Sequence, residues 1–419
     1  MKQKIFVSIF FLFSFLFAGC VSFQSGNSVA HPTQETWQRT MEAHPDAWRK
    51  GADKWFLTGG DLSDTEAANH QVPLSSAMST MMVRPSHFTK IKIAGDFKVQ
   101  IFSGVDHNSV FISGPNQAVR KIAVSMRGNQ LSLIQAQDAP SNMDRAIVRI
   151  GIVKLTSLTQ KGCGTVEGIY IQPDPLDIKF SGSGHLYLSG HVHVRCITHK
   201  GSGMVSIFGV NTPRLKIDTS GSGSLHLCGI VGVQSITHEG EGNIDILGAN
   251  SNQLDILTSG RGKIRINGNV NLHKLTAKEE TCVYVQGVRS HSIVANLEDS
   301  ARVGLAGITQ DLYVNTTGTS LFWGRHLCSQ NVYAKASDES HMNIAASHKA
   351  FATASDNSSI YFFGAPDRLS SFVSGYGVVM PMPDNRICFH DASYRPTYRL
   401  YKYSYKGEGE VGSKKPYIK

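Results

Sequence analysis

Six pairs of glycines, each split by a single residue, recur at Gly162/Gly164, Gly182/Gly184, Gly201/Gly203, Gly221/Gly223, Gly240/Gly242 and Gly260/Gly262, in steps of 20, 19, 20, 19 and 20 residues. Beyond each of the last five pairs, apolar residues lie two and four places after the second glycine, and a further glycine lies six places after it. These are Leu186/Leu188/Gly190, Val205/Ile207/Gly209, Leu225/Leu227/Gly229, Ile244/Ile246/Gly248 and Ile264/Ile266/Gly268. A unit this short cannot bury its own apolar face and must stack on its neighbours. The alternation has the period of a strand, and a second short strand follows in each unit, as in Cys196-Ile197-Thr198, Leu215-Lys216-Ile217, Leu254-Asp255-Ile256 and Val332-Tyr333-Ala334. The expected fold is therefore all-β, a right-handed parallel β-helix of about eleven ~19.5-residue coils with glycines at the corners. A β-propeller needs about 40 residues per blade, and adjacent units here differ no more than alternate ones.

The glycine pairs erode towards the C-terminus while the register persists, in Val283/Val285/Gly287, Val303/Leu305/Gly307 and Ile360/Phe362/Gly364, with Met342/Ile344 a weaker copy. The copy after Gly318 reads as shifted by one residue, giving Leu321/Trp323/Gly324. Upstream, Ile91-Lys92-Ile93, Val99-Gln100-Ile101, Val110-Phe111-Ile112 and Leu131-Ser132-Leu133 alternate as half-buried strands between turn residues such as Gly114-Pro115-Asn116 and Gly128-Asn129, a short strand-rich start.

The N-terminus supplies an address. Met1-Lys2-Gln3-Lys4 precedes an apolar run from Ile5 to Ala18, too short for a comfortable membrane span of about 20 residues and typical of an export signal. It ends in Leu16-Phe17-Ala18-Gly19-Cys20, which resembles the lipobox of bacterial lipoproteins, with Phe17 where leucine is usual. The resemblance implies diacylation of Cys20 and a chain anchored in the cell outer membrane; ordinary signal cleavage that leaves a plain Cys20 thiol is the alternative. The expected organisation is 1–19 signal peptide, 20–87 linker or cap holding three of the four tryptophans (Trp37, Trp48, Trp55), 88–375 β-helix and 376–419 tail.

Within the β-helix, the order of features is specific. Phe88-Thr89-Lys90-Ile91 opens it, paired strands run to Leu133, Val148-Arg149-Ile150 and Leu155 follow, and then Asp177-Ile178-Lys179-Phe180-Ser181-Gly182-Ser183-Gly184. This order resembles the auto-transporter adhesin head GIN domain family over roughly 88–310, and more loosely to about 375. The resemblance implies an envelope β-helix of adhesin type and assigns no catalytic residues.

A search for chemistry finds no phosphate-cradling loop, H-E-x-x-H, G-x-S-x-G or C-x-x-C. The string Gly407-Glu408-Gly409-Glu410-Val411-Gly412 has no following helix and carries two glutamates, unsuited to phosphate. Some β-helices cleave polysaccharides, so the outward positions Tyr187, Ser206, His226, Asp245, Arg265 and Tyr284 matter. His226, Asp245 and Arg265 should form a ladder on three consecutive coils, offering one carboxylate where a glycosidase needs two. His199 and His238 occupy equivalent positions two coils apart, roughly 9.6 Å at the strand spacing, too far for one zinc ion. His191 and His193 share a face without a third ligand. No metal or other cofactor is expected. Besides Cys20 there are Cys163, Cys196, Cys228, Cys282, Cys328 and Cys388, an even number compatible with disulfides, yet no two share a register on adjacent coils.

The formal net charge is 41 − 32 = +9. Residues 386–419 carry eight Lys+Arg against three Asp+Glu, and six of the thirteen tyrosines. Tyr401, Tyr403 and Tyr405 alternate with Lys402, Ser404 and Lys406, so a strand there would have an aromatic face and a basic one. Two roles fit: a cap over the last coil, its lysines blunting an open edge, or a binding surface for lipopolysaccharide, acidic glycans, or envelope or host proteins. Nucleic acid is a poor fit for an exported chain. The sequence thus points to a non-enzymatic envelope lipoprotein used for adhesion, with a structural scaffold or a carbohydrate-active β-helix enzyme as alternatives.

Overall fold

The structure, a computed structural model, describes residues 78–382 apart from 84 and 86. Cys20, Cys388, the linker up to residue 77 and the tyrosine-lysine tail with Tyr401, Lys402, Tyr403, Tyr405 and Lys406 lie outside the described residues.

The described chain is a parallel β-solenoid of about twelve turns with ~19 residues each. A mid-solenoid coil is nearly continuous strand. β13 (Met204–Gly221) pairs with β14 (Ser224–Gly240), with register shifts between Phe208 and Val210 and between Thr212 and Leu215. These shifts are corners that divide the coil into three straight stretches. Along them Val205, Ile207, Val210, Leu215 and Ile217 point inward and are buried. In the next coils Leu225 stacks on Val205, Ile244 on Leu225, and Ile264 on Ile244. Each such buried side chain contributes roughly 1.5–3 kcal/mol relative to exposure. One continuous core runs from Phe88 to Phe362.

The third corner is the glycine pair. At Gly201 φ is +129°, and a Cβ would stand 2.5 Å from the carbonyl oxygen of Gly182 in the previous coil. The close approach allows hydrogen bonds from the N–H of Gly203 to Gly182 O (2.9 Å) and from that of Gly223 to Gly201 O (2.9 Å). A side chain would break this ladder.

Towards the C-terminus the same corner is built from other residues. Glu279, Asp299, Asp338 and Asp356 adopt left-handed φ of 58–62°. The Asp338 carboxylate accepts the N–H of Gly318 (2.8 Å), and that of Asp299 accepts the N–H of Glu279 (3.1 Å). Where the second glycine stood, Ser340 and Ser358 are buried and donate to Thr316 O (3.2 Å) and Ala336 O (3.1 Å). The glycine signal fades because carboxylates and hydroxyls take over the same backbone task.

One feature departs from the sequence reading. The copy at Leu321/Trp323/Gly324 is not inward at Leu321 and Trp323. Phe322 pairs with Val303 and is buried, while Trp323 faces out opposite Gly304. The extra residue is absorbed as a bulge at the next corner, between the pairs Gly304–Trp323 and Ala306–His326, so the interior register never slips.

The strands at the N-terminal end do not stack in chain order. β2 (Lys90–Ala94) and β3 (Lys98–Ser103) form a coil that lies between two later ones. On one side are β6 (Gln130–Gln135) and β7 (Ile147–Ile152); on the other are β8 (Ser157–Lys161) and β9 (Thr165–Ile171). β10 (Leu176–Gly182) and β11 (His185–Val192) continue the stack. The outer edge of β6 is closed by antiparallel β5 (Ile122–Arg127), and that of β7 by antiparallel β4 (Ser109–Pro115). β4 in turn takes β1 (Met78–Val83), six residues of the 20–87 segment, as an antiparallel neighbour. A one-turn helix α1 (Asn116–Val119) links β4 to β5 and buries Ala118 and Val119.

Candidate functional site

The outward positions form rows that run from coil to coil. In one row Ser206, His226, Asp245, Arg265, Tyr284, Gly304 and Trp323 are successive neighbours on adjacent strands. The three residues singled out from sequence are in contact. Arg265 engages Asp245 through both guanidinium edges, Nη2 donating to Oδ2 at 2.9 Å, and His226 Nδ1 stands 3.2 Å from Asp245 Oδ2. Partial burial raises the Asp245 carboxyl, but hydrogen bonds from His226 and Arg265 and the Arg265 charge outweigh it and hold the group below the ordinary carboxylate range. Asp245 is thus an ionised, occupied acceptor, unsuited to proton transfer near neutral pH.

The row continues as an aromatic surface. Lys263 Nζ lies 5.4 Å from the centroid of Tyr284. Gly304 leaves room for Tyr284 and Trp323, two coils apart, to approach to 6.3 Å between centroids with planes 13° apart. Trp323 belongs to this surface because it pairs with Gly304 in the register that turns Phe322 inward onto Val303.

A second row was not visible in the sequence reading. Tyr313, Tyr333 and Phe351 are neighbours on β18 (Arg302–Thr316), β19 (Leu321–Ala336) and β20 (His341–Ala354). Their rings stack at 4.7 and 5.3 Å with planes within 7° of parallel, and the residues are 42, 38 and 42% exposed. The signal was present as aromatic residues 20 and 18 positions apart, just before inward Val314, Ala334 and Ala352. An exposed position carries no periodic apolar demand, so a search for core residues passes over it.

The histidines weighed and set aside as metal ligands have other surroundings. His199 and His238 are buried inside the glycine corner. His199 meets the edge of Phe180 at 5.0 Å, and His238 Nδ1 is 2.7 Å from Thr219 Oγ1. Burial pushes both imidazoles below their ordinary value. A side chain at Gly223 or Gly262 would collide with these rings, which ties the paired glycine to the histidine it covers. His191 is exposed and His193 half-buried. Among the described residues no group of three His, Cys, Asp or Glu side chains is placed to hold a metal ion. No disulfide joins any two of the described cysteines Cys163, Cys196, Cys228, Cys282 and Cys328. Among the described residues no helix is long and apolar enough to cross a membrane.

No curated protein matches the chain. Solved structures that resemble it include a "putative lipid binding protein" from Parabacteroides distasonis (11% identity, 73% of this chain and 96% of that one, TM-score 0.26). Others are a "putative adhesin" from Bacteroides fragilis (16%, 73% and 97%, TM-score 0.22) and one from Parabacteroides merdae (12%, 73% and 96%, TM-score 0.23). The family match begins one residue before the Phe88 opening and ends inside β16 (Lys263–Ala277), whereas the strand ladder continues to Pro381. Residues 87–273 match the model of the family described as "Putative auto-transporter adhesin, head GIN domain", which their motifs resemble.

Proposed function

We propose that the protein is a non-enzymatic adhesin of the bacterial cell envelope, anchored in the outer membrane by a lipid on Cys20, whose solenoid faces contact glycans or other envelope components. The observation that carries this reading is the alignment of aromatic and polar side chains into exposed rows across consecutive coils. Such rows offer many weak contacts of one chemistry to a long ligand, which suits adhesion through multivalency. A glycosidase reading finds little support in the His226–Asp245–Arg265 row, where the single carboxylate is neutralised by its neighbours. In this proposal the tail residues Tyr401, Lys402, Tyr403, Tyr405 and Lys406 add a basic aromatic segment beyond the described coils.

Two measurements test the reading. The full chain should sediment with membranes and the Cys20→Ser variant should not; a variant still on the membrane rejects the anchor. Cells displaying the chain should adhere saturably to host cells or glycan-coated surfaces. Absence of adhesion to every surface rejects the adhesin and favours an envelope scaffold.

A further inference from the structure

The row Tyr313–Tyr333–Phe351 lies within a flat patch of outward side chains on β18, β19, β20 and β22 (Arg368–Val373). One flanking row reads Asp311, Asn331, Lys349 and Arg368; the other reads Asn315, Lys335, Thr353 and Phe372. Coils repeat at about 4.8 Å, and outward residues along a strand at about 6.8 Å. The patch therefore has an aromatic spine with polar margins.

Its electrostatics have a sign. The one carboxylate in the two margins, Asp311, accepts a hydrogen bond from Asn331 Nδ2 at 2.8 Å. Nearby Asp367 is engaged by His348 Nδ1 at 2.6 Å. Lys335, Lys349 and Arg368 have no carboxylate partner among the described residues. Three uncompensated cations around a hydrophobic spine favour a ligand that carries anions and an apolar face together.

The end of the spine supplies a place for that face. Tyr333 covers one side of the Phe351 ring, and the next position along the row is Ser370, which offers only a hydroxymethyl group. The outer face of Phe351 thus opens over a small residue, between Arg368 and exposed Phe372. The C–H face of a pyranose ring packs on the negative face of an aromatic ring, and a carboxylate on that sugar meets a lysine or arginine beside it. A lipid chain would leave the cations unused, and a neutral sugar would leave them unpaired.

We propose that this patch, centred on Phe351 with Tyr333, Lys349, Lys335 and Arg368, is a binding site for an acidic polysaccharide bearing uronic acid carboxylates. The proposal deepens the adhesin reading and rests on it, by naming the ligand class and the coils that take it.

The test uses the full chain with three immobilised probes: polygalacturonate, neutral dextran, and a phosphorylated mannan. Saturable binding to polygalacturonate is expected, weakened by added salt, with little on dextran or the phosphorylated mannan. Phe351→Ala, and separately Lys349→Ala with Arg368→Ala, should each weaken it about tenfold. Because these side chains point outward, melting should change little, which separates lost contact from lost fold. Binding that survives both variants, equal binding to dextran, or stronger binding to the phosphorylated probe overturns the assignment. Adhesion of displaying cells without polygalacturonate binding overturns this site and leaves the adhesin reading standing; loss of adhesion altogether removes both.

Discussion

At the scale of single residues, a glycine in this chain has very different standing depending on its corner. Gly201 has φ +129° and backbone from the previous coil within 2.5 Å of where a Cβ would sit, whereas Gly128, in the β5–β6 turn with φ +58°, has open space around it. Gly201→Ala should therefore cost about 2–4 kcal/mol, and Gly128→Ala about 1 kcal/mol, measured as a difference in denaturant midpoint. Equal costs would mean that coil-to-coil contact is not what selects glycine. The buried histidines give a second prediction. With folded-state pKa values below the ordinary value of about 6.5, the unfolded chain takes up protons first as pH falls. Their contribution is full above pH 6.5 and is lost progressively below it. Urea stability should fall from pH 7.5 to 5.0, and His199→Phe with His238→Gln should flatten that slope; an unchanged slope would place the pH dependence elsewhere. Asp245 acts in a lower window, because a depressed carboxyl withdraws its stabilisation only as pH drops through the acid range.

At the scale of the element, the corner was legible where it is made of glycine and illegible where it is made of Asp and Ser. Gly182 to Gly262 announce themselves by spacing, since no other residue fits under a neighbouring carbonyl. Asp299, Asp338 and Asp356 fulfil the same role with a side chain that caps the adjacent backbone, and acids at a turn look ordinary in a sequence. This gives a directional test: Asp338→Gly should be tolerated within about 1 kcal/mol, whereas Asp338→Val should cost more, because a β-branched residue strains at φ 59°. If valine is accepted, the corner is not held in the left-handed conformation in solution. The candidate site was legible in part for a related reason. His226, Asp245 and Arg265 could be aligned by counting from the glycines. Trp323 could not, because its alternation with Leu321 and Gly324 suggests an inward face, whereas Phe322 is the residue that pairs inward with Val303, and Tyr313, Tyr333 and Phe351 lie in coils whose corners had lost the glycine pair.

At the scale of the whole described solenoid, the two ends are unlike. Antiparallel strands close the N-terminal edge, while on β22 the inward positions Leu369 and Val373 are 43 and 45% exposed. The coils just before that end are also thinly filled, with Ala334 and Ala352 stacked beyond Val314 and Ala350 stacked on Val332. Alanine buries less apolar area than the valine of the coil before it. Amide hydrogen exchange should therefore be slowest in the coils from Val205 to Val285 and fastest from Ala334 onwards, a gradient expected of a repeat protein with nearest-neighbour coupling. Uniform protection from end to end would show that the stack opens as one unit.

The stacking order near the N-terminus sets a schedule for synthesis. The coil of β2 and β3 is made first but gains its two neighbours only when β6–β7 and then β8–β9 have emerged, with β9 ending at Ile171. Until then there is no finished template, and the slow step is closing these non-local pairs. Afterwards every ~19 residues that appear find a complete coil waiting on one side. A chain delivered N-terminus first thus passes one threshold and then grows in a single direction, each coil completed in the order in which it is released.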